Sequence, residues 1–168
     1  AIEDRVRDWS TQGYRVLGVA IRRIARKQVY TREDEANLAF AGFLLFFDPP
    51  KSGMAETLKA LAARGIRVKM ISGDNRYVAV HLAEASGLPH RGVLTGGELA
   101  KLTKEALFAR VARTDIFAEI DPNQKERIIR TLRRRGHVVG YLGDGINDAP
   151  ALHEADIGIS VDGAVDVA

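Results

Sequence analysis

The octapeptide GDGINDAP, residues 143–150, decides the fold of this chain. It follows the apolar run VVGYL at residues 138–142, so the sequence predicts a buried strand that ends in a polar, glycine-containing turn. The turn carries two carboxylates, Asp144 and Asp148. Two carboxylates ~4 Å apart repel by ~1 kcal/mol even in bulk water, so we expect a positive group to compensate them.

Two further polar segments follow predicted strands. SGD at residues 72–74 comes after the run IRVKMI at residues 66–71, and DPNQK at residues 121–125 comes after a strand predicted over residues 115–120. An apolar stripe with helical spacing precedes the strand at residues 66–71, and a capped helix follows residue 75. Further helices are predicted over residues 97–112 and from residue 122, and a last strand is predicted over residues 156–161. This alternation predicts an α/β fold with a Rossmann-like parallel sheet and helices on both faces. Because ligands bind beyond the carboxyl ends of such strands, the three polar segments predict one shared site.

Residues 1–45 show a different pattern. A helix over residues 2–9 and two strand-like runs, at residues 14–21 and 38–47, surround the charged stretch 22–35. No strand–helix–strand unit is present, so we interpret residues 1–45 as a partial α+β segment and residues 46–168 as a second domain. Strands in such a piece have unpaired edges, and we expect self-association or disorder there.

Composition excludes several functional classes. The 168 residues are 46% hydrophobic and 28% charged, which is typical of a soluble, folded domain. The net charge of +3 is small and dispersed, and the basic cluster at residues 130–135 is more typical of a solvated helix end than of a nucleic-acid site. The absence of cysteine excludes disulfides and thiolate chemistry, and no run approaches the ~20 apolar residues of a membrane helix.

The three polar segments carry groups that can bind an anion and a metal. Ser72 and Gly73 offer a hydroxyl and two N–H groups, although the segment taken alone favours a simple helix cap. Lys125 lies in a first helical turn, where the dipole disfavours cations, so it either binds an anion or points into solvent. Asp144 and Asp148 supply the hard oxygen ligands by which Mg²⁺ is held.

A hydroxyl, a lysine and a magnesium ion around one phosphoryl group predict a phosphoryl-transfer site. The nucleophile is missing, because no aspartate of this chain stands alone at the tip of a central strand as a phosphorylated residue should. Asp48 does follow a predicted strand. However, Pro49 and Pro50 exclude the N–H-rich loop that a phosphorylated side chain needs.

Four motifs, in this order, resemble those of the P-type cation-transporting ATPases of the haloacid-dehalogenase superfamily: DPPK at 48–51, SGD at 72–74, PxxK at 122–125 and GDGINDAP at 143–150. In that comparison, residues 1–45 resemble the end of the nucleotide-binding domain and residues 46–168 the second segment of the phosphorylation domain. The tail at residues 155–166 is most similar to the bacterial magnesium-transporting branch. The family motif Asp-Lys-Thr-Gly-Thr does not occur here, so we expect this chain to be a fragment.

The resemblance implies a role for each motif residue. Asp144 ligates Mg²⁺ with the support of Asp148, and Asp48 and Asp74 lie at the edge of the site that faces ATP. Ser72, in place of the usual threonine, and Gly73 bind the transferred phosphoryl group, which Lys125 neutralises. The implied catalytic residues are Ser72, Gly73, Asp74, Lys125 and Asn147.

Our leading hypothesis is therefore a piece of an ATP-driven cation pump, with magnesium as the expected ion. The parent is expected at the cytoplasmic face of the inner membrane, with its upstream segments and transmembrane domain as partners and no nucleic acid. The fragment itself is expected to be soluble and inactive. Two alternatives stay open, a fragment of a soluble phosphatase of the same superfamily and a non-catalytic module.

Overall fold

The computed structural model describes residues 2–143 and 146–160. Helices and strands alternate from residue 70 onward, and two short 3₁₀ turns occur at Arg32–Glu35 and Ile146–Asp148. The elements in chain order are α1 (Ile2–Thr11), β1 (Tyr14–Ile21), β2 (Ala39–Phe47), α2 (Met54–Ala63), β3 (Met70–Ile71), α3 (Arg76–Ala85), β4 (Val93–Thr95), α4 (Gly96–Ala100), α5 (Lys104–Val111), β5 (Ile116–Ala118), α6 (Pro122–Arg134), β6 (Gly140–Gly143), α7 (Ala149–Glu154) and β7 (Ile157–Ser160).

The strands from β3 onward are parallel, which confirms the predicted α/β fold. Three of them form one sheet in the order β3-β5-β4, in which Ile116 pairs with both Met70 and Val93. The other two, β6 and β7, pair in parallel from Gly140 with Ile157 onward. Within the described residues, no ladder joins β3 to β6.

Apolar side chains cover both faces of the three-stranded sheet, because successive residues of β5 point to opposite sides. Phe117 belongs to one buried cluster, with residues of α4, α5 and α6. Ile116 and Ala118 belong to another, with residues of α3. Helices therefore lie on both faces of the sheet, as the sequence predicts.

The N-terminal segment is an antiparallel hairpin of β1 and β2 with α1 beside it. Trp9 of α1 packs edge-on against Phe43, with ring centroids 5.2 Å apart. Large apolar side chains of the hairpin are more than 40% exposed, namely Leu17, Ile21, Phe40, Leu44, Leu45, Phe46 and Phe47. Self-association through this segment and a domain boundary at residue 45 remain predictions.

Two predicted elements differ from the observed ones. The single helix expected over residues 97–112 is two helices, because Thr95 and Thr103 each accept a backbone N–H and cap one of them. The short strand β4 was not predicted, and β3 is confined to its last two residues instead of spanning 66–71. In the part of the chain that the structure describes, no helix combines the length and apolar character needed to cross a bilayer.

A buried charge cluster ties β3 to β5 at the end opposite the polar turns. The Asp115 carboxylate accepts from Lys69 Nζ at 3.0 Å, from the Arg91 backbone N–H at 3.0 Å and from Arg91 Nε at 3.2 Å. Burial alone raises the pKa of Asp115, but these donors and charges outweigh it and hold the pKa below 3.8. Burial lowers the pKa of Lys69 despite this pairing. The lowered pKa of Asp115 governs the stability of this cluster in acid, because three donors converge on that carboxylate.

Acidification is expected to weaken the fold through Asp115. Since the folded pKa lies below the unfolded value of 3.8, the contribution is complete above that pH and is lost as pH falls through the folded pKa. Urea denaturation at pH 6 and pH 3 measures this loss. In Asp115→Asn, the free energy of unfolding should drop by about 3 kcal/mol at pH 6, and the remaining pH dependence should be smaller than in the wild type. An identical pH dependence in both proteins contradicts the assignment; Asp8→Asn, which removes an exposed carboxylate, is the control.

Candidate functional site

A cavity of about 540 Å³ opens at the carboxyl ends of β3 and β6. All three polar segments identified in the sequence contribute to its wall, together with Arg15 from the N-terminal hairpin. The lining residues are Arg15, Ile71, Ser72, Gly73, Asp74, Lys125, Tyr141, Leu142, Gly143 and Asp148. The carboxyl-end location agrees with the general position of ligand sites in parallel sheets.

The segment from Ser72 to Asp74 is held by the extension of β5. The Ser72 N–H donates to the Phe117 carbonyl at 2.8 Å, and the Glu119 N–H donates to the Asp74 carbonyl at 2.8 Å. The helix cap that follows is Asn75, whose side chain accepts from the N–H groups of the first turn of α3. Ser72 is therefore not the cap of α3, and its hydroxyl remains on the cavity wall. Its backbone N–H is committed to the sheet.

Ser72, Asp74 and Arg15 form a hydrogen-bonded group at one side of the cavity. Ser72 Oγ donates to Asp74 Oδ2 at 3.0 Å and accepts the Asp74 N–H at 3.0 Å. The Arg15 guanidinium binds the same carboxylate through two contacts, Nε to Oδ1 at 2.8 Å and Nη2 to Oδ2 at 2.9 Å. The carboxylate of Asp74 is thereby neutralised and fixed in orientation.

Lys125 and Asp148 form a second group on the opposite wall. Capping of α6 by Asp121, with Pro122 in the first turn, fixes the start of the helix that carries Lys125. Lys125 Nζ lies 2.6 Å from Asp148 Oδ1, and the Tyr141 hydroxyl donates to the same oxygen at 2.8 Å. Lys125 is thus a partly buried, paired cation, and the alternative that it points into solvent is wrong. It supplies positive charge that the acidic turn was expected to require.

Because Gly143 has no side chain, the Asp148 side chain can pack against β6. A Cβ atom at residue 143 would lie 2.7 Å from Asp148 Cβ and 2.9 Å from Asp148 Oδ2, closer than packed atoms approach. The first glycine of GDGINDAP therefore leaves room for a carboxylate of its own motif.

Five of the predicted site residues line the cavity: Ser72, Gly73, Asp74, Lys125 and Asp148. Asp48 and Asn147 are exposed and are not among its lining residues. Asp144 lies outside the described residues. Sequence reasoning missed Arg15 and Tyr141. Arg15 gave no signal because its partner is 59 positions away. Tyr141 did give one, since a buried tyrosine hydroxyl needs a hydrogen-bond partner.

The oxygen atoms on this wall are of the kind that can bind magnesium. A buried carboxylate, that of Asp148, faces the cavity, and carboxylate oxygens are ligands that Mg²⁺ prefers. Among residues 2–143 and 146–160, no group of three or more His, Cys, Asp or Glu side chains is arranged to hold a metal ion. Asp148 would therefore need further oxygen ligands, which water, a bound phosphate or groups outside the described residues can supply.

Comparisons with known proteins agree with this geometry. A family model described as haloacid dehalogenase-like hydrolase matches residues 3–156. The magnesium-transporting P-type 1 ATPase of Salmonella typhimurium is 51% identical over 158 residues, which are 94% of this chain and 18% of that protein. The protein of the same name from Escherichia coli K12 is 49% identical over the same shares of both chains. A probable cation-transporting ATPase F of Mycobacterium bovis is 42% identical over 131 residues, 74% of this chain and 14% of that one.

Proposed function

Since the chain belongs to the haloacid dehalogenase-like hydrolases, we propose that it supplies the phosphoryl-binding part of the phosphorylation site of an ATP-driven cation pump. One observation carries the proposal: a hydroxyl, a lysine and a carboxylate from three separate segments converge on one cavity at the carboxyl ends of parallel strands. The predicted resemblance to magnesium-transporting P-type ATPases is confirmed, and it supports magnesium as the transported ion. The chain spans 18% of the length of those relatives, so the pump itself is part of the proposal.

Within the site, each group has a chemical task. The Ser72 hydroxyl and the Gly73 backbone bind oxygens of the transferred phosphoryl group, and Lys125 neutralises its charge. Asp148, together with Asp144, would hold Mg²⁺, which would supply charge neutralisation at the phosphoryl oxygens. Catalysis in such a site consists mostly of positioning and charge compensation, which rigid loops at strand ends provide.

Among the described residues, the three-stranded sheet and the β6–β7 pair are separate, and this break between them supports the proposal that the site is incomplete. Ile71 and Val139 each pack against the buried clusters on both sides of the break. In the described part of the chain, β3 and β6 are therefore near neighbours with no ladder between them. The cavity lies at this break. We infer that a further strand, which carries the aspartate nucleophile absent from this sequence, completes the sheet and the site. The parent then binds ATP, for which Asp48 and Asp74 are candidate contacts, and works at the inner face of a cell membrane. Asn147 is a candidate catalytic residue.

The isolated chain is expected to hydrolyse no ATP above the buffer rate in the presence of Mg²⁺, because it lacks a nucleophile. A coupled phosphate-release assay checks this. Magnesium-dependent hydrolysis that disappears in Asp144→Asn would contradict the proposal. Reading the upstream coding sequence then separates a pump, with membrane-length apolar runs and the Asp-Lys-Thr-Gly-Thr motif, from a soluble phosphatase.

Ligand binding tests the site without turnover. Titration of the ¹⁵N-labelled chain with inorganic phosphate and Mg²⁺ should shift the amide resonances of Ser72 and Gly73. Lys125→Met should weaken the binding by at least tenfold, whereas Lys101→Met, which removes one exposed lysine outside the cavity, should not. A non-catalytic module predicts no such shifts, even when the upstream segment is supplied.

A further inference from the structure

We propose that Tyr141 is a positioning residue for the magnesium-binding carboxylate of Asp148. Its hydroxyl holds one oxygen of that carboxylate, Oδ1, and thereby leaves Oδ2, beside Gly143, as the oxygen for the ion. The proposal rests on the function proposed above for Asp148. It concerns a side chain that lines the cavity but carries no charge.

The two oxygens of Asp148 have different surroundings. Oδ1 accepts the Tyr141 hydroxyl at 2.8 Å and lies 2.6 Å from Lys125 Nζ. Oδ2 lies beside Gly143, where an added Cβ atom would be 2.9 Å from it. Each carboxylate oxygen offers about two lone-pair sites, so the hydroxyl and the ammonium together occupy those of Oδ1. A cation that approaches Asp148 is therefore directed to Oδ2.

Packing makes Tyr141 the more rigid of the two donors. It is 8% exposed and belongs to one buried cluster with Ile129 of α6 and Ala151 of α7. Ile129 follows Lys125 by one helical turn, and Ala151 follows Asp148 by three residues. The ring is thus anchored between the two helices that lead to the ion pair. A lysine ammonium on its flexible four-carbon stem supplies charge but little orientation, so the orientation of the carboxylate comes from the tyrosine hydroxyl.

Phosphate binding increases the importance of this hydroxyl. In the proposed function, Lys125 neutralises the phosphoryl group, so its ammonium is shared between that anion and Asp148. The Tyr141 hydroxyl is neutral and is held by the core, so it keeps Oδ1 in place when Lys125 turns toward the anion. Hydrogen-bond partners of metal-binding carboxylates orient the ligand and raise the metal affinity in this way.

A ligand-free measurement tests the positioning itself. Tyr141→Phe removes a single oxygen atom and keeps the ring in its cluster. Three-bond couplings from the side-chain carboxyl carbon of Asp148 to its backbone, read by NMR on the full chain, should report one χ1 rotamer in the wild type. In Tyr141→Phe they should report an average over at least two rotamers. Tyr77→Phe removes the same atom from an exposed tyrosine outside the cavity and should leave the couplings unchanged. Thermal unfolding checks that both variants fold.

Ligand binding separates orientation of the carboxylate from general support of the site. Mg²⁺, titrated by calorimetry with inorganic phosphate present, should bind about tenfold more weakly to Tyr141→Phe than to the wild type. Inorganic phosphate titrated without Mg²⁺ should bind to the two proteins with affinities that differ by less than twofold, because Ser72, Gly73 and Lys125 are all retained. Equal losses for Mg²⁺ and phosphate mean that Tyr141 supports the cavity as a whole, and they overturn the proposal. Tyr77→Phe should change neither affinity.

The outcomes separate this proposal from the function on which it rests. A single Asp148 rotamer in Tyr141→Phe, or a Mg²⁺ affinity equal to that of the wild type, overturns the positioning role and leaves the proposed function in place. Averaged couplings in Tyr141→Phe, in a chain whose wild type does not respond to Mg²⁺, support the positioning of the carboxylate and reject the proposed function.

Discussion

Replacing Lys125 with methionine is expected to lower the free energy of unfolding by about 3 kcal/mol, since it leaves a buried carboxylate without its cation. Lys125 and Asp148 have side chains that are only 15% and 10% exposed, and their charged atoms are 2.6 Å apart. After the substitution, the Tyr141 hydroxyl still donates to Asp148 but brings no compensating charge. Urea denaturation at pH 7 measures the loss.

The double variant Lys125→Met/Asp148→Asn provides the matched comparison. It removes the carboxylate charge together with the lysine and keeps an oxygen for Tyr141, so it should recover at least half of the lost stability. Lys101→Met, at an exposed position, should change stability by no more than about 0.5 kcal/mol. If Lys125→Met is as mild as Lys101→Met, the pair does not balance the acidic turn.

Gly96→Ala is expected to destabilise the fold by about 3 kcal/mol through overpacking. Gly96 is buried at the start of α4, and a Cβ there would lie 2.2 Å from the Glu119 carbonyl oxygen and 2.6 Å from Gln124 Oε1. Neither neighbour can move freely: Glu119 has a φ of 58°, which non-glycine residues seldom adopt, and Gln124 belongs to the capping box of α6. The displaced segment leads to Lys125, so phosphate binding should weaken as well.

The adjacent Gly97 is the control for this substitution. It is exposed, and a Cβ at that position has no neighbouring atom within 4 Å. Gly97→Ala should therefore stabilise the helix by up to about 1 kcal/mol, because alanine has the higher helix propensity. Thermal or urea unfolding of the two variants side by side gives the comparison. Equal effects of the two substitutions would show that the Glu119 backbone adapts to residue 96.

The fold could be predicted from the sequence where the hydrophobic periodicity extends over enough residues to identify an element. The helix that presents Ile128, Ile129 and Leu132 to the core begins and ends near the predicted residues, because a cap, a proline and a glycine bound it. The strand β4 escaped prediction because three residues carry no readable alternation. The split of the helix over residues 97–112 depends on Thr103, whose capping role is set by the local backbone and not by composition.

The site was predictable in the parts that follow strand ends. Ser72, Gly73 and Asp74 converge with Lys125 and Asp148, because parallel strands bring their carboxyl ends to one edge. Which of these groups pair with one another depends on the three-dimensional packing. The sequence indicated an anion as one of two possible partners of Lys125, but it did not identify that anion as Asp148. The roles of Asp48, Asp144 and Asn147 remain predictions.

The separation of β6 and β7 from the larger sheet has a consequence for local opening of the native state. Among the described residues, the buried ones that hold this pair are Ile129, Tyr141 and Ala151, and Leu142 and Ile157 are 65% and 55% exposed. Regions with so little burial open at a lower free energy than the core around Phe117, and their amides lose protection first. Native-state hydrogen exchange should therefore rank β6 below β5 in protection. The two parts of the cavity wall should therefore open at different rates, and the part that carries Asp148 should open more often.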